Sequence, residues 1–344
     1  MKAFQNITVI VPTLNEEGFI EECLKSLLAG DYPLENLEIL VIDGGSTDLT
    51  IPQVQSLIDL GSPIKLLHNE KKIVPSAVNL GLRTSKNSVN VWVGAHAVYD
   101  REYLPLAVSI LEQENCGSVG GIIIPTAKTS MGKAIAVATT SKFGIGNAHY
   151  RHATERQSVD TVFGGCWRRD DILRIGGFNE QWVRKQDYEL NLRIRQEIGP
   201  IIFDPSIKCH YYCRETLRGL SKQYYQYGFW RFNTFSEHPK SLKFRQLAPL
   251  ALLFSFVNSF ALLLSGLTGA GLAAPTAYLV ASIFVGAIAS VQHRIPHYII
   301  LIPIIFAAIH FSWAIGFTRN GISTLRSSIP VSYTHLTLPT ICSV

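Results

Sequence analysis

Three side chains have the type and setting to do chemistry on a ligand: Asp43, His96 and Asp187. Asp43 closes the apolar run of "LEILVIDGGSTDLT" and is followed by Gly44 and Gly45. A carboxylate there can accept hydrogen bonds from a base N–H or from ribose hydroxyls, and the glycines let a ligand approach the backbone. The alternative is helix capping, a duty that Ser46 or Asp48 supplies equally well. His96 follows Gly94 and Ala95 in "VNVWVGAHAVYD". Its imidazole can ligate a divalent metal or touch a diphosphate, or it can be a satisfied core histidine, and spacing alone does not separate these. Asp187 and Glu189 open the helix "RKQDYELNLRIRQ". An acid there can act as a general base, while a charged surface helix with pairs such as Glu189 to Arg193 is the competing account. Arg168 and Arg169 follow Gly164-Gly165 in "FGGCWRRDDILRIGGF" and can meet an anionic group, unless they are only the solvated face of a helix.

The elements that must position these residues alternate. "ITVIVPTLNEE" reads as a buried strand, stopped by Pro12, with a helix starting at Asn15-Glu16-Glu17. "LEILVID", "IKLLHNE" and "SVNVWVG" are further strands, and "IEECLKSLLAG", "IPQVQSLIDLG" and "PSAVNLGLRTS" are the helices between them. Strands alternating with helices in ~30-residue units imply an α/β fold with a doubly wound, mostly parallel sheet. Ligands bind beyond the carboxyl ends of such strands. Pro12-Thr13, Asp43-Gly44-Gly45 and Gly94-Ala95-His96 all fall at such ends. There is no P-loop and no G-x-G-x-x-G, so a dinucleotide or triphosphate in a glycine cradle is not expected.

Charge is low, at 17% of 344 residues, and unevenly spread. No charged residue occurs from Leu247 to Gln292 or from Ile295 to Thr318. Each stretch exceeds the ~20 apolar residues a spanning helix needs. The expected division is a catalytic domain over 1–238, about three membrane helices over 246–318 with a break near Gly269, Gly271 and Pro275, and a tail over 331–344. The tail, "VSYTHLTLPTICSV", shares no helical period with what precedes and reads as non-native read-through or as disorder. The segment 208–245 carries Lys208, Arg214, Arg218, Lys222, Arg231, Lys240, Lys243 and Arg245, interleaved with Tyr211, Tyr212, Tyr224, Tyr225, Tyr227, Phe229, Trp230 and Phe232. Basic and aromatic residues just before a span fit a segment on anionic membrane lipids, against a solvated helix with an aromatic core face. The net charge of +5 is too modest to suggest nucleic acid. Six scattered cysteines and no secretory signal point to reduced thiols, and Cys209-His210-x-x-Cys213 lacks the second pair of a zinc site.

In this order the pieces resemble the family 2 glycosyltransferases of the GT-A (Rossmann-like) fold, over about residues 5–235. "VIVPTLNEEGFIEECLKSLL", "EILVIDGGSTDLT", "PSAVNLGLRTS", "GGCWRRDDILRIGGFNE" and "QDYELNLRIR" carry the resemblance. "GAHAVY", "QDYELNLR" and "QYYQYGFWR" narrow it to the membrane-anchored subgroup that builds succinoglycan and similar exopolysaccharides. The resemblance implies a donor-binding set of Pro12, Thr13, Asn15, Glu16, Asp43, Gly44, Asn79, Ala95 and Arg168, with Asp187 as catalytic base. It also implies that His96 stands where a metal-binding second acid would be, with Gly94 in place of the first acid and Gln186 in place of the acid beside the base. The cofactor implied is a divalent cation, Mg²⁺ or Mn²⁺.

The activity implied is inverting transfer of a sugar from a nucleotide-sugar, expected to be a UDP-sugar, to a polyprenyl-linked saccharide. By the positive-inside rule, Lys240, Lys243 and Arg245 put the catalytic domain on the cytoplasmic face of a bacterial inner membrane. His293-Arg294 agrees, whereas Arg319 and Arg326 fit better with a re-entrant third segment. The alternatives are a polyprenyl-phosphate glycosyltransferase making a lipid-linked monosaccharide, or an idle nucleotide-sugar-binding subunit.

Overall fold

A computed structural model describes residues 4–146, 154–182, 186–237 and 246–328. Its first half alternates as the sequence dictates: β1 (Ile7–Thr13), α1 (Ile20–Leu28), β2 (Leu37–Asp43), α2 (Thr50–Asp59), β3 (Ile64–His68), α3 (Val74–Thr84) and β4 (Val89–Trp92). β1 pairs in parallel with both β2 and β4, and β2 with β3. These strands are apolar on both faces because both faces are covered. Val9, Val11, Ile39 and Val41 pack with Cys23, Leu24 and Leu27 of α1, whereas Ile10, Leu40 and Ile42 pack on the other side with Ala77, Val78 and Leu82 of α3. The register sets Thr13 beside Asp43 and Asp43 beside His68, so the strand ends form one edge.

The second half adds β5 (Ala97–Tyr99), α4 (Tyr103–Gln113), β6 (Ser118–Thr126), α5 (Ser130–Thr140), α6 (Lys142–Ile145), β7 (Gln157–Val159), β8 (Gly165–Arg168), α7 (Arg169–Arg174), α8 (Gln186–Glu197), β9 (Ile201–Tyr212) and α9 (Leu217–Glu237). The strand order is β3-β2-β1-β4-β8-β6-β9-β5, with β7 also on β9. β8 enters antiparallel between β4 and β6, and β6 runs parallel to β9. The sheet is therefore parallel in its first half and mixed in its second. β6 and β9 press together most closely at Gly121, where a Cβ would lie 1.8 Å from the Ile207 carbonyl oxygen.

Three helices close the described chain: α10 (Ala248–Leu264), α11 (Thr268–His293) and α12 (Tyr298–Ser328). Two of them, Thr268–His293 and Tyr298–Thr324, are long and apolar enough to cross a membrane, while Ala248–Leu264 is shorter at 17 residues. The break between the first two comes at Ser265–Leu267, around Gly266 with its φ of +84°, and not at Gly269, Gly271 or Pro275, which lie inside α11. α12 runs past Arg319, where the sequence suggested an end at Thr318.

The expected surface segment is divided differently. Lys208, Tyr211 and Tyr212 belong to strand β9, because the apolar alternation of "IIFDPSIKCHYY" pairs with β6. The aromatic side of α9 packs on α12: Phe232 meets Phe317, and the Asn320 amide donates to the Phe229 carbonyl and to Asn233. Ala134, Ile135 and Ala138 of α5, Leu220 of α9, Ala289 of α11, and Ile302, Ile305 and Phe306 of α12 form one cluster, so the helical region and the sheet domain share a core. Lys240, Lys243, Arg245 and the tail 331–344 lie outside the described residues.

Candidate active site

The loops after β1 and β2 are laced together across the sheet edge. Asn15, in the left-handed region at φ 55°, donates its N–H to the Ser46 hydroxyl and accepts from the Thr47 N–H. Glu16 donates its N–H to Thr50 Oγ1, and Asp48 accepts from the N–H of Glu17 and of Thr50. The expected helix start at Asn15-Glu16-Glu17 is thus a loop, and α1 begins at Ile20, where Phe19 and Ile20 donate to the Glu16 carbonyl. Bonds to the loop after β2 and the start of α2 hold this stretch out of the helix.

Asp43 is buried and is itself the acceptor of the glycine turn. One oxygen takes the N–H of Gly45 at 2.7 Å and of Ser46 at 2.9 Å, and the other takes the Ser46 hydroxyl at 2.5 Å. Asp43 therefore fixes the turn, while the first N–H of α2, that of Thr50, is taken by Asp48. The turn it fixes carries Gly44 to the wall of a cavity of about 590 Å³, within the ~300–1,000 Å³ usual for small-ligand sites.

That cavity collects residues from every part of the sheet edge. Pro12, Thr13 and Glu16 come from the end of β1 and its loop, Asn69 and Lys72 from beyond β3, and Gly94, Ala95 and His96 from beyond β4. Thr161, Phe163, Gln186, Asp187, Tyr188, Tyr211, Arg214 and Tyr227 line it as well. Asp187, in the first turn of α8, therefore shares one cavity with His96. Thr13 Oγ1 and Gln186 Oε1, both on residues of this lining, are buried and find no hydrogen-bond partner among the described residues, as do five side-chain atoms of residues outside the lining.

His96 is held from both sides. Nδ1 lies 3.1 Å from Glu16 Oε1 and Nε2 lies 2.6 Å from the Tyr211 hydroxyl. Gly94, two residues earlier, is enclosed: its N–H donates to the Tyr99 hydroxyl, and its carbonyl accepts from that hydroxyl and from the Cys23 thiol. Burial pushes the Tyr99 hydroxyl well above its ordinary pKa, with Cys23 and Cys209 adding to the effect, so it stays a proton donor. Burial, and then the charge of Glu16, raises the Cys23 thiol in the same way. Among the described residues, no group of three or more His, Cys, Asp and Glu side chains is arranged to hold a metal ion. Two donors, the His96 nitrogen and the Glu16 carboxylate, face each other on the cavity wall. Such a pair suits Mg²⁺ or Mn²⁺, which keep few protein ligands and fill their remaining positions with substrate phosphate oxygens and water.

Four residues of the expected donor set do not line the cavity: Asn15 and Asp43 hold the edge loops, and Arg168 and Asn79 stand elsewhere. Arg168 donates to the carbonyls of Leu111 and Cys116. β8 runs antiparallel to β4, so Arg168 ends beside Val89, at the opposite edge of the sheet from His96. Asn79, in mid-α3, donates to the Phe178 carbonyl and to Glu180 and accepts from the Phe178 N–H, tying α3 to the loop after α7. Glu189 is occupied as a partner of Arg193, at 2.6 and 2.8 Å. The cavity residues that sequence reasoning passed over are Asn69, Lys72, Thr161, Phe163, Tyr211 and Arg214. Tyr211 had a signal: it closes the apolar alternation of β9, as Asp43 closes that of β2.

Residues 8–215 match the model of Glycosyl transferase family 2. A dolichyl N-acetyl-alpha-D-glucosaminyl phosphate 3-beta-D-2,3-diacetamido-2,3-dideoxy-beta-D-glucuronosyltransferase of Methanococcus voltae is 31% identical over 234 residues, covering 64% of this chain and 71% of the relative. The succinoglycan biosynthesis protein ExoA of Rhizobium meliloti is 26% identical over 321 residues, covering 91% and 94%. Among solved structures, the mannosyltransferase PcManGT from Pyrobaculum calidifontis, in complex with GDP-Man and Mn²⁺, superposes with a TM-score of 0.60 at 20% identity, over 94% of this chain and 88% of the other. The likeness in structure is one of fold.

Proposed function

The chain belongs to glycosyl transferase family 2, and on that premise we propose that it is an inverting enzyme that moves a sugar from a nucleotide-sugar, expected to be a UDP-sugar, to a polyprenyl-linked saccharide in cell-surface glycan assembly. The observation that carries this is a single cavity along the ends of β1, β2 and β4 that is lined by Thr13, Gly44 and His96 and also by Asp187 of α8. A nucleotide-sugar laid along that edge would bring its sugar end toward α8.

The nucleoside end rests on the turn fixed by Asp43, where Gly44 admits close approach of a ring or ribose. Pro12, Thr13, Asn15, Glu16 and Ala95 frame the donor, directly or by shaping its loop. Among the described residues, Lys72 and Arg214 are the cationic side chains that line the cavity, and they favour a diphosphate. Asp187 takes the proton of an acceptor hydroxyl as its oxygen attacks the anomeric carbon. The new carbon–oxygen bond forms as the bond to the diphosphate oxygen breaks on the opposite face, and the electron pair leaves with the diphosphate. A divalent cation held at His96 would neutralise the charge that gathers there. The two long apolar helices fit an acceptor carried in a membrane, with the catalytic domain on the cytoplasmic face of a bacterial inner membrane.

The test is turnover by the purified full-length protein with UDP-, GDP- and dTDP-sugars and a lipid-diphosphate saccharide, reading nucleotide release and lipid product. Asp187→Asn is expected to lower transfer by ~10²–10⁴ with donor binding retained. Full turnover in that variant overturns the assignment of the base. A lipid monophosphate monosaccharide as product would identify the simpler reaction instead.

A further inference from the structure

We infer that Glu16 supplies the carboxylate that position 94 lacks, and that Glu16 and His96 together hold the divalent cation against the donor diphosphate. This rests on the nucleotide-sugar reading of the same cavity. Glu16 Oε1 and His96 Nδ1 are 3.1 Å apart, and the two side chains are 21% and 27% exposed, both on the cavity wall. A six-coordinate Mg²⁺ takes donors at ~2.0–2.1 Å, which sets adjacent donors ~3.0 Å apart. The 3.1 Å separation thus matches that of two neighbouring donors on one ion, which would sit to one side of the line joining them.

Nδ1 and Glu16 Oε1 are within hydrogen-bond distance, and so are Nε2 and the Tyr211 hydroxyl. An ion on Nδ1 would leave Nε2–H to donate to the Tyr211 oxygen. A hydroxyl can take either part. An outer partner on the second nitrogen is what a metal-bound histidine generally requires.

An acid at position 94 would need the Phe163 ring to give way. A Cβ on Gly94 would lie 3.0 Å from Cζ of Phe163. Glu16 is also held in place: its N–H donates to Thr50 Oγ1 at 2.7 Å and its carbonyl accepts from Phe19 and Ile20. With two protein donors, most of the coordination sphere is left to diphosphate oxygens and water. The cation should thus bind weakly to the free protein and well to its nucleotide complex.

The experiment titrates Mn²⁺ into the full-length protein in detergent, alone and with saturating UDP or GDP, and follows the electron paramagnetic resonance of free Mn²⁺. The expected result is nucleotide-dependent Mn²⁺ binding that Glu16→Gln weakens by about tenfold or more, as does His96→Ala. Thermal melting of Glu16→Gln should match wild type, and its loss of Mn²⁺ binding should exceed any loss of metal-free nucleotide binding. If that variant does not fold, Glu16→Asp, which keeps the charge but shortens the reach, is expected to weaken Mn²⁺ binding more than metal-free nucleotide binding. Wild-type Mn²⁺ affinity in whichever variant folds overturns the inference and leaves Glu16 as a support for His96. A wild-type protein that binds the nucleotide but gains no Mn²⁺ also overturns it, while the nucleotide-sugar reading stands. Failure to bind either nucleotide removes both.

Discussion

The guanidinium of Arg231 lies over the ring of Tyr188, 5.0 Å from its centroid. Arg231 is buried on α9, the helix that packs against α12, and its Nε donates to Gln246 just before α10. Tyr188 follows the candidate base Asp187 at the start of α8 and lines the cavity. The contact joins the helices that lead to the membrane region to the turn that aims the base. Arg231→Lys keeps the charge but loses the planar face that stacks on the ring. It is expected to lower kcat by about tenfold, the equivalent of one such contact, with the KM for donor unchanged. Steady-state kinetics at varied donor concentration check this, since a change confined to KM would show that the contact serves donor binding instead.

Gly94→Asp restores an acid at the position the family resemblance singles out. The Phe163 ring stands where the new side chain must start, 3.0 Å from its Cβ. Alone, the change is expected to destabilise by ~1–3 kcal/mol, as overpacking does, and to leave Mn²⁺ binding unimproved. Adding Phe163→Leu should relieve the strain. Melting and Mn²⁺ titration of the single and double variants test both statements.

α9 and α12 approach through glycine. A Cβ at Gly228 would lie 1.9 Å from the Trp313 carbonyl oxygen, and one at Gly316 would lie 2.1 Å from that of Tyr225. Alanine at either site forces the helices apart, and small residues are what allow such closeness. Each change is expected to cost ~1–3 kcal/mol and to lower the melting temperature in detergent. Gly269→Ala, with nothing within 4 Å of its Cβ, serves as the neutral or stabilising control.

Glu180 predicts an acid sensitivity of the donor-side scaffold. Hydrogen bonds from Asn79, and then Lys71, hold its carboxyl below the usual 4.5 of a glutamate. A lowered folded pKa means that the stabilisation is present above the unfolded value and is lost as pH falls through the folded one. Between about pH 5 and pH 3 the melting temperature of wild type should therefore fall more steeply than that of Glu180→Gln. Equal slopes would show that the tie to α3 contributes nothing.

How much of this was legible from the chain follows from the distances over which each feature is decided. The doubly covered strands were plain because burial on both faces writes a continuous apolar run into a few adjacent residues. The end of each run placed Thr13, Asp43 and His96 on one edge, and the first turn of α8 offered Asp187. The loop after β1 was misread as a helix start because its partners, Ser46, Thr47, Asp48 and Thr50, sit more than thirty positions away. Arg168 was misplaced because nothing near it reveals that β8 enters the sheet reversed, which moves its end to the far edge. The packing of α9 on α12 was not legible in its aromatic residues, because a ring that packs on a neighbouring helix and one that meets lipid have the same sequence signature.

The sequence by itself determined the strands, the edge where they end and the acids available there, since these depend on local periodicity and residue type. Only the tertiary structure decided which groups those residues meet. His96 has Glu16 and Tyr211 as partners, 80 and 115 positions away in the chain. Contacts of that range are set by strand order and register, which local propensity does not encode.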